Sequence, residues 1–194
     1  MGTIDPSKAL VPGSLLDVAT GTGTSLVEIA ARISEVVLVD TSGSMDAQDS
    51  RGGRSRYDVA CEELRKVQAA HPGQVAVVSF GSYVRFDPNG IPTFDHGSTA
   101  MNRALDFVRS FDGTGVRIIL ISDGQPDDES AALESARGFT QAIDTIFVGP
   151  EEDWAGGRRF LALLSSLHQG VHQVAEFAVD LAPAIHRLIN PPKP

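Results

Sequence analysis

The chain has 194 residues and a net charge of −9, from 25 acidic and 16 basic side chains. This length fits one domain, with at most an appendage, and allows a core that needs no cross-links. A single cysteine, Cys61, excludes an internal disulfide framework and a cysteine-rich zinc module. The acidic balance argues against a general nucleic-acid or anionic-membrane binder, because such proteins present a basic face.

The two ends of the chain differ from its centre in composition. Residues 1–34 are predicted as an N-terminal extension, in which residues 1–24 form a loose segment and Ser25–Ile33 a short amphipathic helix. Residues 191–194, Pro-Pro-Lys-Pro, are predicted as a tail, which leaves residues 35–190 as the domain. Because the sequence shows neither a membrane-spanning apolar stretch nor a signal-peptide pattern, we expect a cytoplasmic protein.

The central region alternates short apolar runs with amphipathic helical segments. Strands are predicted at 36–39, 75–78, 116–121, 143–148 and 171–175, and helices at 57–70, 99–110, 129–141, 157–168 and 178–189. Tyr83–Phe86 is predicted as an antiparallel edge strand that follows a tight turn. The alternation predicts an α/β fold: a Rossmann-like, doubly wound, mostly parallel sheet of about six strands, with helices on both faces.

Polar residues follow two of the apolar runs. Asp40, Ser42 and Ser44 come directly after the first run, Asp123 follows the third, and Thr99 begins the helix between them. Asp40 and Ser42 alone would suit a helix cap or an Asx turn. Because ligands of doubly wound sheets bind at the carboxyl ends of strands, we expect all five side chains to meet there. Two carboxylates and three hydroxyls suit a hard cation such as Mg²⁺.

This pattern of five residues resembles the metal-ion-dependent adhesion site (MIDAS) of von Willebrand factor A (vWA) domains. The resemblance implies that Ser42 and Ser44 bind the metal directly, whereas Asp40 and Asp123 act largely through water. It also implies that Thr99 joins or leaves the metal's ligand shell with conformation. Mg²⁺ is the expected ion, and Mn²⁺ and Ca²⁺ belong to the same class of oxygen-preferring cations.

The succession of strands and helices extends the resemblance over residues 35–190. The family chiefly binds proteins, and a carboxylate of the partner completes the metal's octahedron. The resemblance therefore implies a non-enzymatic, divalent-cation-dependent protein–protein interaction module. By analogy with the family we expect a role in an intracellular assembly or regulatory complex, with a partner that offers an Asp or Glu carboxylate.

The segment from Asp46 to Arg56 is long for the link between the first motif and its helix. It contains Arg51, Arg54 and Arg56, and we expect it to form a surface loop beside the metal. Three arginines there would offset the acidic charge of the protein and pair with carboxylates of a partner. The alternative is a solvated loop with no role in binding.

One enzyme class competes with this interpretation. Leu16–Gly23, with the sequence Leu-Asp-Val-Ala-Thr-Gly-Thr-Gly, resembles the first motif of S-adenosylmethionine-dependent methyltransferases. In those enzymes the glycines follow a strand and let the backbone approach the cofactor, and Asp40 would bind the ribose. The alternative requires a strand before Gly21, where the sequence offers few apolar residues.

A second enzyme class, the haloacid-dehalogenase-like phosphatases, also places an Asp after the first strand. It requires a general acid two positions later, where this chain has Ser42, which cannot deliver a proton at neutral pH.

Two further polar groups have simpler interpretations. Asp127–Glu129 is predicted as favourable charge at a helix N-terminus. His168 and His172 are predicted as surface imidazoles rather than as metal ligands.

Overall fold

The computed structural model describes residues 10–49, 53–123, 126–148, 156–175 and 181–189. The strands are β1 Glu35–Asp40, β2 Val75–Phe80, β3 Val84–Phe86, β4 Arg117–Ser122, β5 Ile143–Val148 and β6 His172–Ala175. The helices are α1 Leu15–Thr22, α2 Leu26–Ala30, α3 Arg56–Ala70, α4 Met101–Phe107, α5 Glu129–Arg137, α6 Gly157–Ser166 and α7 Leu181–Ile189.

Within the described residues the six strands form one sheet, in the order β3-β2-β1-β4-β5-β6. All neighbours pair in parallel except β2 and β3, which are antiparallel. The predicted α/β class, the mostly parallel sheet and its antiparallel edge strand are therefore confirmed. No helix in the described part of the chain is long and apolar enough to cross a membrane.

The continuous apolar runs are explained by burial on both faces of the sheet. Along β1, Val36 and Leu38 belong to one hydrophobic cluster, whereas Val37 and Val39 belong to another. Side chains of α1, α2, α4, α5 and α6 complete the first cluster, and those of α3 and α7 complete the second. Since successive side chains of a strand point to opposite faces, the four central strands β1, β2, β4 and β5 each contribute to both layers.

The loose segment predicted for residues 1–24 is wrong for Leu15–Thr22, which is helix α1. The Oγ of Ser14 caps its first turn by accepting a hydrogen bond from the backbone N–H of Asp17, 3.3 Å away. Leu15 and Ala19 are buried in the core. The helix ends at Gly23, whose φ of +66° is the left-handed conformation that favours glycine at this position.

This correction also removes the structural context of the methyltransferase alternative. That motif requires a strand followed by a glycine-rich turn, but Leu16–Thr22 lies within α1. The threonines that suggested a loop are compatible with the helix, because Thr20 and Thr22 donate hydroxyl hydrogen bonds to the carbonyls of Leu16 and Val18, both at 2.7 Å.

Several predicted boundaries shift by a few residues. The helix at Ser25–Ile33 is shorter, because α2 ends at Ala30. Likewise α5 ends at Arg137 instead of residue 141, and the Asp112 carboxylate accepts hydrogen bonds from the backbone N–H groups of Thr140 and Gln141 that follow. The first part of the helix predicted at 178–189 and the tail at 191–194 lie outside the described residues.

The order of the strands determines where a ligand would bind. From β1 the chain moves to β2 on one side and later to β4 on the other side. The connections that follow the carboxyl ends of β1 and β4 therefore lead to opposite sides of this point in the sheet. In doubly wound folds this switch point is where ligands are bound.

Candidate functional site

Asp40 links the carboxyl ends of β1 and β4. It is the last residue of β1 and is fully buried. Its Oδ1 accepts a hydrogen bond from the backbone N–H of Ser42 at 2.8 Å, and its Oδ2 accepts one from the hydroxyl of Ser122 at 2.5 Å. Because Ser122 is the last residue of β4, these two bonds place the loops after the two strands side by side.

The loop after β1 turns through a short 3₁₀ helix, Gly43–Asp46, that brings two hydroxyls together. The side chain of Met45 is fully buried and anchors the turn in the core. The Oγ atoms of Ser42 and Ser44 lie 3.1 Å apart, and the hydroxyl of Ser44 donates to Asp123 Oδ1 at 2.8 Å. Hydrogen bonds thus connect Asp40, both serines and Asp123, with buried Asp40 below and exposed Ser44 at the surface.

The loop before α4 packs against this turn. The backbone N–H of Gly43 donates to the carbonyl of Gly97 at 3.1 Å. The Asp95 carboxylate shapes the loop by accepting bonds from the N–H groups of Gly97 at 2.7 Å and Ser82 at 2.8 Å. This packing brings the loop that carries Thr99 next to the serine turn.

Thr99 is held by the segment that follows β4. Its backbone N–H donates to Asp127 Oδ1 at 2.9 Å, and its carbonyl accepts from the N–H of Asp127 at 3.1 Å. Beside it lies a polar cleft of about 410 Å³, whose lining includes Tyr83, Ser98, Asn102 and Arg103. The chain neighbours of Thr99, Ser98 and Ala100, thus line a cleft that is open to solvent.

The arginines predicted for partner binding have different surroundings. Arg56 is the first residue of α3, and its guanidinium Nη1 donates to Asp123 Oδ2 at 2.7 Å. It also contacts Asp49 through Nε, 2.8 Å from Oδ1, and through Nη2. Arg54 points elsewhere and pairs with Glu62 at 2.6 Å. Arg51 lies outside the described residues, and a role of any of the three in partner binding stays a prediction.

Burial makes the charged forms of the two site carboxylates unfavourable. Burial, together with the neighbouring charge of Asp123, raises the pKa of Asp40 to about 7, against the opposing hydrogen bonds from Ser122 and Ser42. Burial also raises the pKa of Asp123, although the hydrogen bonds from Arg56 and Ser44 oppose this shift. Both groups would be ionised more readily if a further cation lay beside them.

The donor set fits a hard divalent cation. The described residues contain no cluster of three or more His, Cys, Asp or Glu side chains arranged around one point, so hydroxyls would have to contribute to any site here. The Oγ atom of Ser44 lies 3.1 Å from the Oγ of Ser42 and 2.8 Å from Oδ1 of Asp123. Neighbouring ligands of an octahedron with Mg–O bonds of about 2.1 Å are separated by about 3 Å, so these spacings suit Mg²⁺.

Three contributors to the site were not predicted from the sequence. Ser122 had no predicted role, although a polar residue at the end of an apolar strand signals such a bond. Asp127 was assigned to a helix N-terminus, but Asp128 is the residue that caps α5, and Asp127 instead holds Thr99. The pairing of Asp49 with Arg56 was not predicted either, because Asp49 lies in a loop without periodicity.

Comparison with protein-family models finds no match, and comparison with curated proteins finds none either. Solved structures do match. An aerotolerance-related membrane protein from Bacteroides fragilis is 18% identical, with a TM-score of 0.61 over 81% of this chain and 98% of that chain. A von Willebrand factor type A structure from Catenulispora acidiphila is 20% identical, with a TM-score of 0.53 over 79% of this chain and 41% of that one.

A third structure, the manganese-loaded TRAP protein from Plasmodium vivax, is 17% identical. Its TM-score is 0.53, over 82% of this chain and 73% of that chain. These similarities show that the chain has the vWA fold. At such identities they concern the fold alone, so the function has to be argued from the site itself.

Proposed function

We propose that this chain is a vWA-type binding module that holds a divalent cation and, through it, a carboxylate of a protein partner. The observation that carries the proposal is the hydrogen-bonded row of Asp40, Ser42, Ser44 and Asp123 at the switch point of the sheet. Mn²⁺ in a protein of the same fold is consistent with it.

Each residue has a distinct part in this proposal. Ser42 and Ser44 supply neutral oxygens to the ion, and Asp40 and Asp123 supply the negative charge that attracts it. A cation held by few anionic ligands remains able to accept an outside carboxylate, which is the chemistry that the metal contributes. Because Ser44 is exposed, it lies on the side from which a partner would approach the ion.

Binding rather than catalysis is the function that the hydrogen bonds favour. A serine nucleophile requires a neighbouring base such as histidine. In the described part of the chain, Ser44 donates to Asp123, whose pairing with Arg56 weakens it as a base, and the hydroxyl of Ser42 contacts that of Ser44. A role in an intracellular assembly or regulatory complex stays a prediction.

The metal is tested first, with Mg²⁺ alone as the probe. A ligand that binds only the folded state stabilises it by RT ln(1 + [L]/Kd), so millimolar Mg²⁺ should raise the melting temperature relative to EDTA. Ser44→Ala should reduce the increase markedly, while the control Ser110→Ala, at an exposed serine elsewhere, should leave it unchanged. Equal melting temperatures in Mg²⁺ and EDTA for the wild type would contradict the proposal.

The open coordination position is tested with Mn²⁺ and a small dicarboxylic acid such as glutarate. Water-proton relaxation reports water bound to Mn²⁺, so glutarate should lower the relaxation enhancement of the wild-type complex. Ser44→Asp should bind Mn²⁺ at least as well, yet respond less to glutarate, because the added charge weakens the ion's attraction for a second anion. If Ser44→Asp responds as the wild type does, the carboxylate-on-metal mechanism is wrong even if the metal binds.

A further inference from the structure

Arg56 brings a positive charge of the chain itself to a carboxylate of the candidate metal site. Its Nη1 lies 2.7 Å from Asp123 Oδ2, while the other oxygen of Asp123 accepts the hydroxyl of Ser44 at 2.8 Å. The Asp123 side chain is 0% exposed and that of Arg56 only 11% exposed. An ion pair this far out of solvent is little screened by salt, so the contact is not an incidental surface pair.

A second carboxylate fixes the same guanidinium from the opposite side. Asp49 accepts from both Nε and Nη2, so the planar fork of Arg56 bridges the two acids. The hydrogen bond to Arg56 lowers the pKa of Asp49 and keeps it ionised. The backbone of Arg56 is fixed as well, because its N–H donates to the carbonyl of Ala47 at 3.1 Å at the start of α3.

This arrangement changes the charge that the site offers to a cation. Asp40 and Asp123 would together present two negative charges, but the guanidinium offsets the charge of Asp123. A divalent ion beside Ser44 would be repelled by Arg56 and would compete with it for Asp123. Asp49 is not among the expected metal ligands. Its carboxylate can keep its hydrogen bonds with Arg56 when the arginine releases Asp123.

We propose that Arg56 is a built-in competitor of the divalent cation, shared between Asp123 and Asp49, that sets the metal affinity of the site. The inference rests on the proposed function, since it concerns regulation of the same site. When the ion binds, Arg56 leaves Asp123 and stays on Asp49. When the ion leaves, Arg56 returns to Asp123 and limits the cost of the buried charge. The site is thereby tuned to bind its ion reversibly.

The test compares Mg²⁺ and Mn²⁺ affinities of the wild type, Arg56→Gln, Arg56→Lys and Arg54→Gln by calorimetry. Arg56→Gln should bind either ion at least tenfold more tightly, because the repulsion between a unit charge and a divalent ion about 5 Å apart has that size even at the dielectric constant of water. Arg56→Lys keeps the charge but cannot bridge two carboxylates, so its affinity should lie between the two. Arg54→Gln removes a positive charge two residues away that is paired with Glu62, so its metal affinity should equal that of the wild type.

A second measurement reports the arginine itself. In EDTA, Arg56→Gln should melt below the wild type because Asp123 has lost its positively charged partner, and Mg²⁺ should raise the melting temperature of the variant by more than it raises that of the wild type. The ¹⁵Nε signal of Arg56 should shift on titration with Mg²⁺, while that of Arg54 should not.

The outcomes separate the inference from the proposed function. If the wild type binds metal and Arg56→Gln binds it equally or more weakly, the competition is wrong while the metal site stands. If Arg54→Gln gains as much affinity as Arg56→Gln, general charge explains the effect and the competition is again wrong. If none of the four proteins binds metal, the proposed function fails and the inference fails with it.

Discussion

The two ends of the sheet hold buried carboxylates in different ways. At the amino end, Asp144 of β5 accepts hydrogen bonds from the guanidinium of Arg117 at 2.9 Å and from the N–H of Val171 at 2.8 Å. At the carboxyl end, Asp40 accepts hydrogen bonds from two uncharged groups, the backbone N–H of Ser42 and the hydroxyl of Ser122, and it lies near the charge of Asp123. A buried carboxylate that is paired with a cation of the protein has its charge compensated within the fold. A buried carboxylate whose described contacts include no cation can be compensated by a bound ion.

The largest effect is expected from removing each carboxylate in turn. Asp40→Asn should weaken Mg²⁺ binding by about 100-fold or more and abolish the Mg²⁺-dependent rise in melting temperature, because the site loses its deepest charge. Asp144→Asn should instead lower the free energy of unfolding by about 1–3 kcal/mol in Mg²⁺ and EDTA alike. Scanning calorimetry of both variants in the two buffers checks the contrast. If Asp144→Asn loses the Mg²⁺ effect as well, the two ends do not differ in function.

The next effect concerns the carboxylate partner rather than the metal. Thr99 lies at the edge of the site, so Thr99→Ala should keep Mn²⁺ affinity within about threefold while losing about tenfold in the apparent affinity of Mn²⁺-loaded protein for glutarate. The measurement is a glutarate titration followed by water-proton relaxation. The control Thr114→Ala lies far along the chain in an exposed turn and should change neither quantity. Equal losses of metal and glutarate affinity would make Thr99 an ordinary ligand without a selective role.

The raised pKa of Asp40 predicts that the stability of the fold depends on pH. A carboxyl group with a folded-state pKa raised to about 7 stabilises the fold fully below its unfolded value near 3.8. This contribution is lost as the pH rises towards 7, because the unfolded chain releases the proton more easily. In EDTA, the wild type should therefore lose stability relative to Asp40→Asn between pH 4 and 7. Chemical unfolding at several pH values measures this difference, and a constant difference would contradict the assignment.

The smallest effect is expected from removing the hydrogen bond that the hydroxyl of Ser122 donates to Asp40. Its loss in Ser122→Ala should raise the pKa of Asp40 further and weaken Mg²⁺ binding about threefold at pH 7, since the proton then competes better with the metal. Ser79→Ala removes a buried serine of β2 and serves as the control for burial alone. The difference between the variants should disappear at pH 9, where Asp40 is ionised in both. A difference that persists at pH 9 would indicate a structural role for Ser122.

The sequence predicts the sheet and most of the site for one physical reason. Strands buried on both faces leave continuous apolar runs, and the polar residue that ends each run, such as Asp40, marks the ligand-binding edge. Helix α1 was not predicted because its buried apolar face consists of Leu15 and Ala19 alone, and its glycine and threonines are typical of loops. Arg56 bridges Asp49 and Asp123, which lie 7 and 67 residues away in the sequence, and no local periodicity indicates that these residues come together.

A crystal structure of the Mn²⁺-soaked protein, with anomalous diffraction data collected at the manganese edge, tests the central claim most directly. The account predicts one strong anomalous peak bounded by the hydroxyls of Ser42 and Ser44 and by Asp123, with the guanidinium of Arg56 on Asp49. A peak only at the Asp144 end of the sheet, or no peak at the serine turn when Mn²⁺ is saturating, would contradict it.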